Sequence, residues 1–207
     1  YDLKLFLHLL SHISANHHRC NNFIAKVEEI LKIFEEDIKK YFSNFSIFNI
    51  FRSNKRILLF LFEEKIIIPN DLIYGMITSN KYKKWHYPEY FFPEFKSYYP
   101  QNYINKLISE NSDLNENNYS LFEEKRKVGE NDSYICELIR NDSIKEFIVH
   151  VNKTNLRLSN FISPSIYETN PLFLKSESTI IEYASFFGSI QIFNYLRMNN
   201  VELTDYL

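Results

Sequence analysis

Glycine is scarce in this chain, and its spacing excludes the common nucleotide-binding loops. The 207 residues include three glycines, Gly75, Gly129 and Gly188. A dinucleotide-binding loop needs clustered glycines in the pattern G-x-G-x-x-G, because its backbone must approach a pyrophosphate closely. A P-loop likewise needs a glycine pair shortly before a lysine. Neither loop can be built here, and the patterns GxSxG, HExxH and CxxC are absent as well.

Cysteines and long apolar runs are also rare. Two cysteines, Cys20 and Cys136, cannot form a disulfide framework, which favours a reducing intracellular compartment. The longest uninterrupted apolar run, residues 57–62, is far shorter than the roughly 20 residues of a membrane-spanning helix. A net charge of −2 provides no field that attracts nucleic acid or an anionic membrane. We therefore expect a cytoplasmic protein that binds neither.

Strand-like alternation is nearly absent, whereas helical spacing recurs throughout the first half. Residues 23–41 carry one apolar stripe at helical spacing, which consists of Phe23, Val27, Ile30, Leu31, Phe34, Ile38 and Tyr41. Residues 57–64 and 71–78 are predicted to form a helix pair, with Asn70 or Asp71 as the cap of the second helix. A two-stranded coiled coil through residues 23–41 is an alternative. The segment is short and carries aromatic residues, which favours packing within one domain.

Several potential metal ligands near the start of the chain suggest a zinc site, namely His8, His12, His17, His18 and Cys20. His8 and His12 lie one helical turn apart, a spacing that can chelate zinc. The apolar residues of the same predicted helix place both histidines on its polar side, and no further ligand pair lies at a defined spacing. We therefore predict solvent-exposed histidines, no metal site and no cofactor.

Aromatic residues are interspersed with lysines in residues 81–100, a combination that can stack bases and pair with phosphates. Glu89 and Glu94 interrupt the positive charge, and the prolines predict a stiff, irregular connector. We expect its aromatic side chains to pack at the junction between the N-terminal helices and the segment that follows. Docking of a protein partner is favoured over nucleic-acid binding for any that are exposed, because aromatic residues are enriched at protein interfaces.

The most informative segment is residues 179–203, which has the pattern of two short helices joined by a tight turn. Thr179 and Glu182 form a capping-box pattern, and Gly188 can end the first helix with a positive φ. Ser189 can cap the second helix. The small and apolar positions of the two helices are Ile181, Ala184, Ser185, Ile192, Phe193 and Leu196. A single helical hairpin cannot bury both of its faces, so it is expected to stack on neighbours.

This segment resembles an ankyrin repeat, whose helical part reads T-P-L-H-x-A-A-x-x-G-H before an apolar second helix. The positions that correspond to its Thr, Leu, Ala-Ala and Gly are Thr179, Ile181, Ala184, Ser185 and Gly188. The apolar positions of the second helix are Ile192, Phe193, Tyr195 and Leu196. The departures from the pattern are Ile180 for Pro, Glu182 and Ser189 for His, and Asn200 for a late Gly. With its preceding helices, the chain is similar to divergent ankyrin proteins expanded in some protists, in which a domain of unknown function is embedded in the repeats.

A weaker copy of this unit precedes it in residues 133–152. Asp142 lies where the later unit has Gly188, an offset of 188 − 142 = 46 residues, compared with about 33 in ankyrin repeats. The excess falls in residues 158–178, which have the proline, serine and asparagine content of a loop. Ser143 and Glu146 are predicted to form another capping box.

These patterns predict an all-α fold. A helical leader or capping region covers residues 1–100, and stacked helix-turn-helix hairpins of ankyrin type cover residues 101–207 as the start of an α-solenoid. Further repeats are expected beyond residue 207. The resemblance implies a non-enzymatic scaffold that binds an unknown protein partner on a concave surface, with the matched positions in a structural role. The alternatives are helical oligomerisation through residues 23–41 and, with less support, an enzyme or a nucleic-acid binder with an unrecognised site.

Overall fold

The computed structural model describes residues 2–16, 23–175 and 177–203. Regular structure in these residues comprises sixteen α-helices, three 3-10 turns and one isolated β-bridge, and no strand is present among them. The predicted all-α fold is therefore confirmed. No helix in the same residues is long and apolar enough to cross a membrane.

Two compact units divide the chain. The first contains the described residues up to Glu130 together with Thr169–Pro171, and the second contains Asn131–Glu168 and the described residues from Leu172 onward. The division predicted at residue 100 is the point where the repeats are expected to begin. The boundary between two compact units does not show where a repeat begins, so this division stays a prediction.

The first unit is a cluster of mostly short helices. Their bounds are α1 Asp2–Asn16, α2 Phe23–Ile33, α3 Glu35–Tyr41, α4 Asn44–Phe51, α5 Lys55–Glu63, α6 Asp71–Ile77, α7 Asn80–Lys84, α8 Tyr87–Tyr90, α9 Phe92–Phe95, α10 Gln101–Glu110 and α11 Tyr119–Val128. The 3-10 turns are Lys96–Tyr98, Ser112–Leu114 and Glu116–Asn118. The remaining helices are α12 Tyr134–Arg140, α13 Ile144–Thr154, α14 Pro171–Lys175, α15 Ile180–Phe187 and α16 Ile190–Met198.

The single helix predicted over residues 23–41 is divided into α2 and α3. Phe34 separates them with φ −96° and ψ 10°, and helical hydrogen bonds continue on both sides of it. Val27, Leu31 and Ile38 from the predicted stripe are fully or almost fully buried in the first unit. These three members of the stripe pack within the chain, as its short length and aromatic content favoured, whereas Tyr41 is 64% exposed.

The predicted helix pair that follows is confirmed as α5 and α6. The side chain of Asn70 accepts a hydrogen bond from the backbone N–H of Ile73 at 3.0 Å. Asn54 caps α5 in the same way, accepting from the N–H of Ile57 at 3.1 Å. Asparagine is among the best N-cap residues because its short side chain can satisfy an N–H group that lacks a partner in the helix.

The prediction that residues 81–100 form an irregular connector is wrong. The segment forms α7, α8, α9 and a 3-10 turn. Pro88 and Pro93 lie in the first turns of α8 and α9, where the missing N–H removes no helical hydrogen bond. The buried aromatic residues of the segment are Tyr82, Trp85, Tyr87, Tyr90, Phe91, Phe92, Phe95 and Tyr99. As core residues of the first unit, they are not available to stack bases or dock a partner.

A buried arginine connects α9 with α11 in this core. Arg126 is 1% exposed, and its guanidinium donates to both carboxylate oxygens of Glu94 at 2.8 and 3.0 Å. It also donates to Glu123 at 3.2 Å and to the carbonyl of Tyr90 at 2.8 Å. Burial of an unpaired charge is costly, so these acceptors are what makes the buried position tolerable.

Candidate functional site

The second unit is built from two helical hairpins. The first pairs α12 with α13, and the second pairs α15 with α16. Contacts also join α12 to α15 and α13 to α16, so the second hairpin packs directly on the first. Their buried core consists of Cys136, Leu138, Ile139, Phe147, Val151, Ile180, Ile181, Tyr183, Ala184, Ile192, Leu196 and Val201.

The predicted capping box at the start of α15 is confirmed. The hydroxyl of Thr179 accepts from the N–H of Glu182 at 3.3 Å, and the Glu182 carboxylate accepts from the N–H of Thr179 at 2.7 Å. Two N–H groups that a helix start would leave unpaired are satisfied by this exchange. The local sequence is therefore sufficient to define where α15 begins.

The predicted glycine turn at the end of α15 is confirmed as well. Gly188 has φ 68° and ψ 33°, and the next N–H, from Ser189, donates to the carbonyl of Ala184 at 2.9 Å. The first hairpin has the same turn: Asp142 has φ 49°, and the N–H of Ser143 donates to the carbonyl of Leu138 at 3.0 Å. The two turns thus share backbone conformation and hydrogen bonding.

Ser189 does not cap α16 with its side chain, contrary to prediction. Its hydroxyl donates instead to the carbonyl of Ile139 in the first hairpin. The Asp142 carboxylate takes over the capping, accepting from the N–H groups of Gln191 and Ile192 at 3.0 Å each. Sequence reasoning missed this role of Asp142; the only available signal was an aspartate at the position where the later unit has glycine.

The predicted capping box of Ser143 and Glu146 is also wrong. The side chain of Ser143 makes no capping hydrogen bond to α13. Its backbone N–H, which Glu146 would need to reach, already donates to Leu138 within the turn. The backbone hydrogen bond of the turn therefore prevents the capping box from forming.

Most of the predicted repeat positions are buried or partly buried in the second unit. Ile181, Ala184, Ile192 and Leu196 have no exposed surface. Thr179 is 7% exposed, and the positions of intermediate burial are Glu182, Ser185 and Phe193. Gly188 is exposed at the turn. The buried side chains among them contribute to the packing of the hairpin.

A polar cluster lies between α12 and α15. Arg140 donates to the hydroxyl of Tyr183 at 2.9 Å and to the carbonyl of Asn131 at 2.8 Å. Cys136 has no exposed surface, and burial raises the pKa of its thiol to about 11. A thiol that stays protonated near neutral pH is a poor nucleophile, so the cluster acts as a polar contact between hairpins.

The two histidines with zinc-like spacing lie on α1, His8 half-buried and His12 exposed. Within residues 2–16, 23–175 and 177–203, no group of three or more His, Cys, Asp or Glu side chains could hold a metal ion. The other predicted members of the cluster, His17, His18 and Cys20, lie outside the described residues.

The outer side of α12 presents exposed side chains. Tyr134 is 52% exposed, and Glu137 is exposed one helical turn later. The ring of Tyr134 also contacts that of His150 on α13, with the ring centroids 5.1 Å apart.

The structure thus defines an all-helical protein that contains two stacked helical hairpins. No protein-family model matches the chain, and comparison with curated proteins and with solved structures also finds no match.

Proposed function

We propose that this chain is a non-enzymatic, intracellular protein-binding scaffold of the divergent ankyrin-repeat type. The observation that carries the proposal is the equivalence of the two hairpins in the second unit. Their turn residues Asp142 and Gly188, both at positive φ, and their turn hydrogen bonds recur at the same offset of 188 − 142 = 46 residues. Equivalent supersecondary units that stack on each other are the basis of repeat architectures.

The long offset between the hairpins agrees with this proposal. An antiparallel bridge pairs Phe161 with Thr179, through hydrogen bonds from Ile162 to Ser178 at 2.7 Å and from Ile180 to Asn160 at 3.1 Å. The chain therefore leaves the stacked hairpins after Phe161 and returns to them at Thr179, beside the point where it left. The residues between include the short helix α14, Pro171–Lys175, so the extra length is an insertion, and such an insertion lengthens a repeat without changing how its helices stack.

The binding mechanism follows from rigid stacking. Because the core residues hold the hairpins in one arrangement, exposed side chains of the first helices present a preformed surface, which lowers the entropy cost of binding. Tyr134 and Glu137 on α12 are the proposed contacts for a protein partner. Tyrosine is enriched at protein interfaces because its ring is apolar and its hydroxyl is polar.

The intracellular assignment is supported by the second unit. Cys136 is a free, buried thiol, as expected in a reducing compartment. Oligomerisation through residues 23–41 has less support, because the apolar side chains that would form such an interface, including Val27 and Leu31, are buried within the first unit.

A matched pair of charge reversals tests the proposal. Glu137 and Glu146 are both exposed acids in the first turn of their helices, α12 and α13. The immobilised chain is incubated with extract of its source organism, retained proteins are identified, and a purified partner is titrated by calorimetry. We expect Glu137→Arg to weaken binding at least tenfold and Glu146→Arg to leave it unchanged.

The proposal fails if no purified protein shows saturable binding to the chain. It also fails in its choice of surface if Glu146→Arg has the larger effect while both variants keep the wild-type circular dichroism spectrum.

A further inference from the structure

A groove in the second unit lies next to the β-bridge. Its volume is about 700 Å³, and it is open to solvent. Its lining residues are Arg157, Leu158, Ser159, Phe161, Thr179, Asn199, Asn200, Val201 and Glu202. Both residues of the bridge thus contribute to its wall.

The hydrogen bonds of the bridge determine where the backbone groups of Phe161 point. The bonds are made by the residues on either side of Phe161 and Thr179, so these two form a non-hydrogen-bonded pair. In such a pair the N–H and C=O groups of both residues point away from the partner segment. Phe161 and Thr179 therefore direct their own peptide groups outward, on opposite sides of the bridge.

The two edges differ in whether a described residue accepts a hydrogen bond from their N–H. The N–H of Thr179 donates to the Glu182 carboxylate at 2.7 Å, as part of the capping box. The N–H and C=O of Phe161 have no hydrogen-bond partner among residues 2–16, 23–175 and 177–203. Phe161 thus has a short strand edge, and its side chain is 59% exposed.

The backbone groups of Phe161 favour one kind of ligand for the groove. The interior of a helix uses its own N–H and C=O groups, so it has none left to pair with Phe161, whereas an extended backbone can exchange both bonds with one residue. We propose that the groove binds an extended peptide segment of a partner protein, which pairs with the backbone of Phe161 as an added strand. This inference rests on the proposed protein-binding function and names one class of partner for it.

Side chains around the edge add specificity to the pairing. The exposed ring of Phe161 provides an apolar contact for a peptide side chain. Arg157 and Glu202 are exposed lining residues of opposite charge, so a peptide that carries both an acidic and a basic residue is complementary to the groove. Backbone pairing supplies affinity, and these side chains supply selection.

A library of random linear peptides displayed on phage tests the inference with the whole chain as the target. We expect enriched peptides whose synthetic forms bind at least tenfold more weakly to Phe161→Ala than to the wild type. Ile190→Ala is the matched control, because Ile190 is 68% exposed and does not line the groove. Binding to this control is expected to be unchanged.

Methylation of backbone nitrogens, one at a time along a selected peptide, tests the strand pairing without changing the protein. We expect one position to lose binding at least tenfold, because one peptide N–H donates to the carbonyl of Phe161. Equal tolerance at every position, no enriched peptide, or equal binding to wild type and Phe161→Ala would each overturn the inference. If Glu137→Arg still weakens binding of a protein partner at least tenfold in any of those cases, the proposed function stands and only the groove assignment fails.

Discussion

At the scale of single residues, two glycines are expected to respond oppositely to the same substitution. Gly188→Ala places a Cβ at φ 68° and should destabilise the protein by about 1–2 kcal/mol. Gly75 lies inside α6, and an added Cβ there meets no atom within 4 Å. Gly75→Ala should stabilise the protein by about 0.5–1 kcal/mol. Urea unfolding measures both, and a stabilising Gly188→Ala would contradict the role of the turn.

Ala184 tests the close approach of helices in the stack. It has no exposed surface, so Ala184→Leu forces additional carbon atoms into a packed site and should cost about 1–3 kcal/mol. Ala25→Leu is the control, because Ala25 is exposed on α2, and its effect should stay within about 0.5 kcal/mol. Thermal unfolding distinguishes the two. If Ala184→Leu keeps wild-type stability but loses partner binding, Ala184 is an interface residue.

Cys136 is expected to be unreactive in the folded protein. Burial raises its thiol pKa to about 11, so the thiol stays protonated at pH 8, and it is inaccessible because it has no exposed surface. In a Cys20→Ser background, DTNB should modify Cys136 only as fast as the second unit opens, and at the rate of a free thiol in denaturant. Rapid modification under native conditions would instead indicate an accessible thiolate.

At the scale of secondary-structure elements, Asp142 couples the two hairpins. Its carboxylate accepts hydrogen bonds from N–H groups in the first turn of α16. Asp142→Ala should therefore lower the free energy of unfolding by about 0.5–2 kcal/mol, as for loss of an N-cap. Hydrogen exchange at Gln191 and Ile192 should accelerate. Asp71→Ala, in the first turn of α6 where Asn70 is the cap, should leave those two amides unchanged. Unaltered exchange in Asp142→Ala would show that another group caps α16.

Among the elements, those with local signals were predicted well. The capping box of Thr179 and the turn at Gly188 depend on hydrogen bonds between residues three to five positions apart, so the sequence reveals them. The capping box of Ser143 and Glu146 was predicted by the same logic and is wrong, because a competing backbone bond uses the N–H of Ser143. A pattern of residue types does not show which of two acceptors an N–H will choose.

At the scale of the whole molecule, the burial of the α2 and α3 stripe predicts a single chain in solution at micromolar concentration. Val27, Leu31 and Ile38 are already covered within the first unit, so they have little apolar area left to drive association. Light scattering should return the mass of one chain. A stable dimer that is disrupted by Ile33→Glu, at a residue 72% exposed on α2, would favour the oligomerisation alternative.

The sequence by itself determined the helical class, the caps of α6 and α15, and the turn at Gly188, because helix periodicity and capping act over a few neighbouring residues. Tertiary structure decided the burial of the aromatic residues in 81–100 and the destination of the Ser189 hydroxyl. It also decided that Asp142 caps a helix 49 and 50 positions away. These outcomes depend on groups that are distant in sequence and meet only when the hairpins stack and the core closes.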